Sequence, residues 1–409
     1  MEEWKEYKLE DIGKITTGKT PKTAIKEYFD GNILFVTPAD INTPYKYVSK
    51  TARYLSEKGL NSISSNSIDK GSICVSCIGN IGYVGVVNMK CASNQQINSI
   101  TVNKEHDRDF VYYAIKYLWP FFKNYEGQST TLSILNKGQF SKIAIKAPQK
   151  DIQQRIASIL SSLDDKIEVN RKINENLEQQ AQALFKSWFV DFEPFRDQPF
   201  VESELGMIPK GWRVVSLDEA CIKVTDGSHY SPKDDPHGTI PMLSVKDMLH
   251  NGFDYSSCKK IDEEEYIKMK SNDCVPLKND ILVAKDGSYL KEIFICNEEI
   301  KQAILSSIAI FRPNSEVIYP EILLQLLRLP KVKKDVSDNY VSGSALPRIV
   351  LKDFKKFKFV IAPSRIQNGI IQTMRSINKC IHINNQESRR LAELRDTLLP
   401  KLMSGEIKV

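Results

Sequence analysis

Long apolar runs are missing from this chain. None of its 409 residues lies in a hydrophobic stretch approaching the ~20 residues needed to cross a bilayer, and the amino terminus is charged. The expectation is a cytoplasmic protein that makes no use of a membrane. Histidine is scarce: His106, His229, His237, His250 and His382 are scattered, with no metal or triad spacing among them. No glycine-rich cofactor fingerprint follows a strand, and the Asn/Asp-Pro-Pro-aromatic motif of amino-methyltransferases is absent. The eight cysteines are dispersed and read as free, often buried thiols in a reducing cytosol. These absences argue against a disulfide framework, a metal site, a cofactor or self-contained catalysis on this chain.

Two short patterns imitate binding sites. Cys74-Val75-Ser76-Cys77 has the spacing of half a zinc knuckle, but it lies in an apolar β-like run where residues three apart face opposite ways, and no second pair follows. Gly13-Lys14-Ile15-Thr16-Thr17-Gly18-Lys19-Thr20 matches the Walker A pattern. That motif works between a buried strand and a helix whose amides cradle phosphates. Here no buried strand precedes it, and Pro21 comes next without helical signal.

What the chain does have is a repeat. Seam positions Leu160, Leu163, Ile167, Asn170, Asn174, Leu177, Ala181, Leu184 and Trp188 alternate in steps of three and four, as a coiled coil requires. The same spacing returns 214 residues later at Met374, Ile377, Ile381, Asn384, Ser388, Leu391, Arg395, Leu398 and Leu402. Asn170 and Asn384 are expected to fix register, because a slipped amide would sit unpaired among apolar side chains. If the helices run antiparallel, these midpoints should meet on a pseudo-two-fold axis. Ahead of each helix, Trp4 and Leu9 match Trp212 and Leu217, and the run Gly71 to Gly79 matches Asn279 to Gly287, at an offset of 208. Ser99 to Val102 aligns with Ser307 to Ile310, and Leu132 with Phe140 aligns with Leu346 and Phe354.

The fold class is therefore α+β: two tandem mixed domains, 1–148 and 210–363, separated by two long helices, 149–192 and 364–409, that form an antiparallel coiled coil, with a linker at 193–209. Pro148 and Pro363 mark where the helices begin. Loops rich in Gly, Ser, Thr, Asn and Lys suit hydrogen bonding to bases and phosphates, so the repeat points to a two-headed DNA reader. The chain carries 57 Lys plus Arg against 51 Asp plus Glu, a net charge of +6, a mild bias towards nucleic acid. Lys14, Lys19, Lys22 and Lys26 crowd the start of the first domain; Lys331, Lys333, Lys334, Arg348, Lys352, Lys355, Lys356 and Lys358 crowd the end of the second.

Three segments then stand out: Leu184-Phe185-Lys186-Ser187-Trp188-Phe189-Val190-Asp191-Phe192, Leu205-Gly206-Met207-Ile208-Pro209-Lys210-Gly211-Trp212, and Leu399-Pro400-Lys401-Leu402-Met403-Ser404-Gly405-Glu406-Ile407. With the two-copy layout they make the chain resemble, over essentially its full length, the specificity subunit of type I restriction-modification systems. The resemblance implies that each domain is a target recognition domain reading one half of a split, asymmetric site on double-stranded DNA, with the helices as a ruler. It also implies two docked methylation subunits carrying S-adenosylmethionine, and restriction subunits using ATP; this chain itself would be non-catalytic.

By the same resemblance, expected DNA contacts in the first domain are Thr17, Gly18, Lys19, Thr20, Lys22, Gly79, Asn80, Asn94, Gln95, Gln96, Ser129, Thr130 and Thr131. In the second they are Asp226, Gly227, Ser228, His229, Tyr230, Lys285, Asp286, Gly287, Ser288, Tyr289, Gln302, Ser342, Gly343, Ser344 and Arg348. Partner docking is assigned to the exposed helix faces and to Trp188, Phe189, Leu402 and Met403, whose large side chains would otherwise simply close the seam. Two other classes remain open at this level: a P-loop nucleotide-binding protein, and a coiled-coil adaptor without sequence specificity. The loop assignment predicts that Lys19→Ala and Arg348→Ala weaken DNA binding in a titration, with a salt slope about one unit shallower where a phosphate contact is lost. Unchanged affinity and slope in both variants would sink it.

Overall fold

The computed structural model describes residues 4–127, 133–287, 289–343 and 346–409. The chain forms two compact units, one made of 1–172 with 386–409 and the other of 173–385. Two 40-residue helices, α1 (Lys150–Phe189) and α2 (Ser364–Met403), each contribute to both units.

In the first unit, strands β1 (Gly13–Thr17), β2 (Ile73–Ser76), β3 (Val84–Val87) and β4 (Ile97–Val102) build one sheet in the order β1-β4-β2-β3, with Tyr47–Val48 parallel to β3 at its edge. Every residue from Ile73 to Ser76 and from Ile97 to Ile100 is buried, including Ser76, Asn98 and Ser99, so both strands are covered on both faces. A smaller sheet joins Tyr54–Leu55, Phe29–Val36 and Ala92–Ser93. Lys5–Lys8 pairs antiparallel with Ala144–Ala147, delivering the chain to α1.

The second unit repeats this plan. Strands β5 (Cys221–Asp226), β6 (Ile281–Ala284), β7 (Ile293–Ile295) and β8 (Ile308–Pro313) take the order β5-β8-β6-β7. Lys259–Ile261, Ile240–Leu243 and Ala303–Ile304 form the smaller sheet, and Arg213–Ser216 pairs with Lys358–Ile361 ahead of α2. One sequence alignment needs correction. Ile73 pairs with Ile100 across β2 and β4, whereas Ile281 pairs with Phe311 across β6 and β8. The second unit holds three more residues between these strands, so Ser99 corresponds to Ile310 and Ser307 to Gln96.

Within the first unit the helices run antiparallel, with Asp164 against Arg395 at 2.6 Å and Asn170 donating to Ser388 Oγ at 3.2 Å and Glu387 Oε2 at 2.7 Å. Within the second, Asn384 donates to Asn174 Oδ1 at 2.8 Å and Asn174 to Asn385 Oδ1 at 2.9 Å. All the seam positions read from the sequence are buried or half-buried. Asn170 and Asn384 fall in different units, and each has a seam partner within its own. Side chains interleave in layers where helices pack, so each asparagine faces the layer after its own counterpart: Asn170–Ser388 in one unit is repeated as Asn174–Asn384 in the other, with the two positions exchanged.

Helix α1 also grips the domain in each unit. In the first unit Lys46, buried against Tyr47, Tyr112 and Tyr113, reaches Ser161 Oγ and Asp109 at 2.8 Å each. In the second, Glu178 accepts from Asn251 at 2.6 Å and bonds His250 at 2.8 Å, and the carboxylates of Glu178 and Glu292 push the His250 pKa up to about 9.

A close approach fixes one end of each main sheet. The Gly18 amide donates to Ile97 O, and a Cβ there would lie 2.0 Å from Asn94 O. The Gly227 amide donates to Ile308 O, and its Cβ would lie 2.2 Å from Ile304 O. Glycine is required at both because backbone occupies the space of a side chain. Gly18→Ala and Gly227→Ala are each expected to cost about 1–3 kcal/mol in denaturant unfolding, while Gly127→Ala, with nothing within 4 Å of its Cβ, is expected to cost nothing. Asp164 also accepts from the Tyr113 hydroxyl at 2.5 Å, and both it and Arg395 are almost fully buried. Asp164→Ala should therefore destabilise by about 3 kcal/mol, removing the partner of the Tyr113 hydroxyl and leaving the guanidinium only Asp396, at 2.8 Å, and adding Arg395→Met should recover part of that loss in thermal unfolding.

Candidate nucleic-acid interface

Antiparallel pairing brings the carboxyl ends of β1 and β2 beside the amino end of β4. Thr17, Gly18, Lys19 and Thr20 leave β1 at that end; Gly79 and Asn80 turn out of β2 there; Asn94, Gln95 and Gln96 lead into β4 there. The cluster is tied together by Thr17 Oγ1 donating to Asn98 at 2.7 Å, Thr20 Oγ1 to Gln95 at 2.8 Å, and the Gly79 amide to Ser133 O at 3.0 Å. Lys19, Lys22, Asn80 and Gln95 are exposed. Ser129, Thr130 and Thr131 lie outside the described residues, as do Ser288 and Ser344 of the second unit.

The Walker-like segment is part of this end and has no phosphate cradle. Gly13 to Thr17 is strand β1, paired along its length with β4, and the backbone amide of Gly18 is already used by Ile97. A P-loop needs those amides free and a helix behind them; this chain instead continues into Pro21 and a single 3₁₀ turn at Lys26–Tyr28. The Cys74 and Cys77 thiols are buried, which pushes Cys77 up to about 12, and among the described residues no group of His, Cys, Asp and Glu could hold a metal. Cys380 is exposed and Cys258 half-buried, so not every thiol is interior.

The second unit assembles the matching end. Asp226, Gly227, Ser228, His229 and Tyr230 leave β5; Lys285, Asp286, Gly287 and Tyr289 leave β6; Ser342, Gly343 and Arg348 lie alongside, with Asp286 bridging Arg348 and Ser342 pairing Arg348 in short antiparallel ladders. The Gly287 amide donates to Pro347 O, as Gly79 does to Ser133 O in the first unit. Tyr230 and His229 are exposed, and Tyr289 meets Ser337 of the helix Pro330–Asn339 at 2.9 Å. Lys333 and Lys334 stand one turn before Ser337 and are exposed, so part of the lysine cluster does flank the loops.

Several expected contacts lie elsewhere. Gln302 is 2% exposed and accepts from Tyr255 at 2.9 Å, so it is interior; the residues matching Gln95 and Gln96 are Ser306 and Ser307, which the uncorrected offset had hidden. Lys285 is buried and paired with Asp226 at 2.6 Å, which leaves its ammonium no phosphate to meet. Lys355, Lys356 and Lys358 pair with Asp218, Asp353 and Glu204 beside the strands leading into α2. Of the residues assigned to docking, Phe189 stacks on Phe185 and packs on Trp212, Trp188 is half-buried against Phe195 and Gly369, and Leu402 and Met403 are in the core of the first unit. These side chains close each unit from within.

Comparison with known proteins agrees with this architecture. Residues 1–179 and 209–393 match the model of the type I restriction modification DNA specificity domain. The specificity subunit of the type I restriction enzyme MjaIX of Methanocaldococcus jannaschii is 31% identical, covering all of this chain and 94% of that protein. The HindI specificity subunit of Haemophilus influenzae is 26% identical over the whole of both chains. The crystal structure of the type I restriction-modification S subunit from M. genitalium superposes with a TM-score of 0.51 at 19% identity, covering 98% of this chain and 96% of that one. With two matched domains, a full-length relative and a shared fold, this chain belongs to the type I restriction-modification specificity subunit family.

Proposed function

We propose that the chain reads a bipartite, asymmetric site on double-stranded DNA, each unit taking one half, and that it does no chemistry itself. The observation that carries this is the reuse of one loop framework with different side chains. Gly18 and Gly227, and Gly79 and Gly287, hold the same backbone bonds, yet the residues around them differ between the units. A scaffold that keeps its hydrogen bonds and varies its exposed edge suits two readers with two targets. Thr17, Lys19, Thr20, Lys22, Asn80 and Gln95 are the contacts proposed in the first unit; His229, Tyr230, Asp286, Ser342 and Arg348 are those in the second.

The helices, about 60 Å long at 1.5 Å per residue, act in this reading as the ruler that makes gap length part of the specificity. Two methylation subunits, which supply S-adenosylmethionine and modify adenine, dock on the exposed helix faces, and restriction subunits bring ATP-driven cleavage. The complex works in the cytoplasm, consistent with the lack, among the described residues, of any helix long and apolar enough to cross a membrane. Co-expression with a methylation subunit of the same system, followed by mapping of methylated adenines across a genome, is expected to return one split motif with a fixed gap and two unlike halves. A stable complex that methylates at unrelated sequences would overturn the reading.

A further inference from the structure

We infer that Asp286 and Arg348 together read one G·C pair in the half-site of the second unit; the inference rests on the DNA-reading function proposed above. The two residues face each other across an isolated antiparallel bridge at the loop end of the sheet. Paired residues in such a bridge have Cα atoms only ~4.5–5.5 Å apart, so their side chains reach neighbouring points on a ligand. The Asp286 side chain is 19% exposed, so its carboxylate is partly open to a ligand; its Oδ1 is buried and accepts no hydrogen bond among the described residues, and Lys285 Nζ, 3.7 Å from it, binds Asp226 at 2.6 Å. Arg348 is exposed and forms no ion pair among the described residues. A part-exposed carboxylate and an exposed guanidinium thus stand on bridged residues, with no ion pair between them among the described residues.

In the major groove, cytosine offers an N4 amino donor and guanine the O6 and N7 acceptors, side by side in one base pair. A carboxylate beside a guanidinium matches that edge, the carboxylate accepting from N4 and the guanidinium donating to O6 and N7. An A·T pair leaves the match incomplete, because thymine presents a methyl and an acceptor where cytosine presents its amino group. The corresponding bridge of the first unit joins Ile78 to Ile134, with Ile134 51% exposed. Hydrocarbon there cannot make either contact, so the discrimination belongs to one half-site.

The test is selection of bound duplexes from a randomised pool by the full-length chain, comparing wild type with Asp286→Asn, Arg348→Gln and, as a first-unit control, Ile78→Val. Thermal unfolding establishes that each variant is folded. The expected result is that Asp286→Asn and Arg348→Gln relax the same G·C position by roughly tenfold to a hundredfold and leave the other half-site unchanged. Retention of every wild-type preference would overturn the inference, as would relaxation of two different positions. So would an Arg348 variant that weakens all sequences alike, which marks a phosphate contact. A folded wild-type chain that enriches no motif would instead bring down the DNA-reading function itself.

Discussion

Everything in this molecule hangs on the antiparallel seam, because each unit is closed by helix segments that lie far apart in the sequence. In the first unit, Leu160 of α1 and Leu399, Leu402 and Met403 of α2 complete a core begun by Leu9, Ile12 and Phe110. In the second, Phe185 and Phe189 of α1 join Ile370, Ile371 and Met374 of α2. Apolar area drives this closure but is indifferent to sliding. The seam also holds polar layers within the units, Asp164–Arg395, Asn170–Ser388 and Asn174–Asn384, and groups of this kind are costly to leave buried without a partner.

The domains are fastened to the helices by buried charge as well as by packing. Lys46 is held among three tyrosine rings and bonded to Ser161 and Asp109, while Arg328 lies 3.7 Å from Glu178. Such groups are costly to desolvate and lose much more when a partner is removed, so they discourage a domain from rotating on its helix. A recognition loop is only as well aimed as the element that carries it.

Much of this was legible in the chain because periodicity and turn chemistry are local. Proline placed the starts of both helices within two residues, the strand from Ile97 to Val102 was readable from its β-branched run, and the offset of 214 between seam positions holds between the first residues of the two helices as well. What sequence could not supply was non-local. Three extra residues between β6 and β8 shift the repeat, so Leu305 rather than Gln302 stands at the place of Asn94, and only strand pairing reveals it. That Gly18 is a packing glycine rather than a phosphate ligand depends on a carbonyl of Asn94, far off in sequence. The ion pair between Lys285 and Asp226 likewise joins two strands that no local pattern connects.

The division of the chain into units has a consequence for synthesis. The first unit is interrupted: its second segment, 386–409, comes after the whole of the second unit in the sequence. A ribosome therefore releases the first domain with the apolar face of its half-helix uncovered, and that face stays uncovered while all of 173–385 is made. Exposed apolar surface on a nascent domain is what chaperones bind and what aggregation feeds on. The residues that bury it, Leu399, Leu402 and Met403, belong to the delayed segment. The domain made first is thus the one completed second, and a chain broken off anywhere in the second unit would leave the first core open.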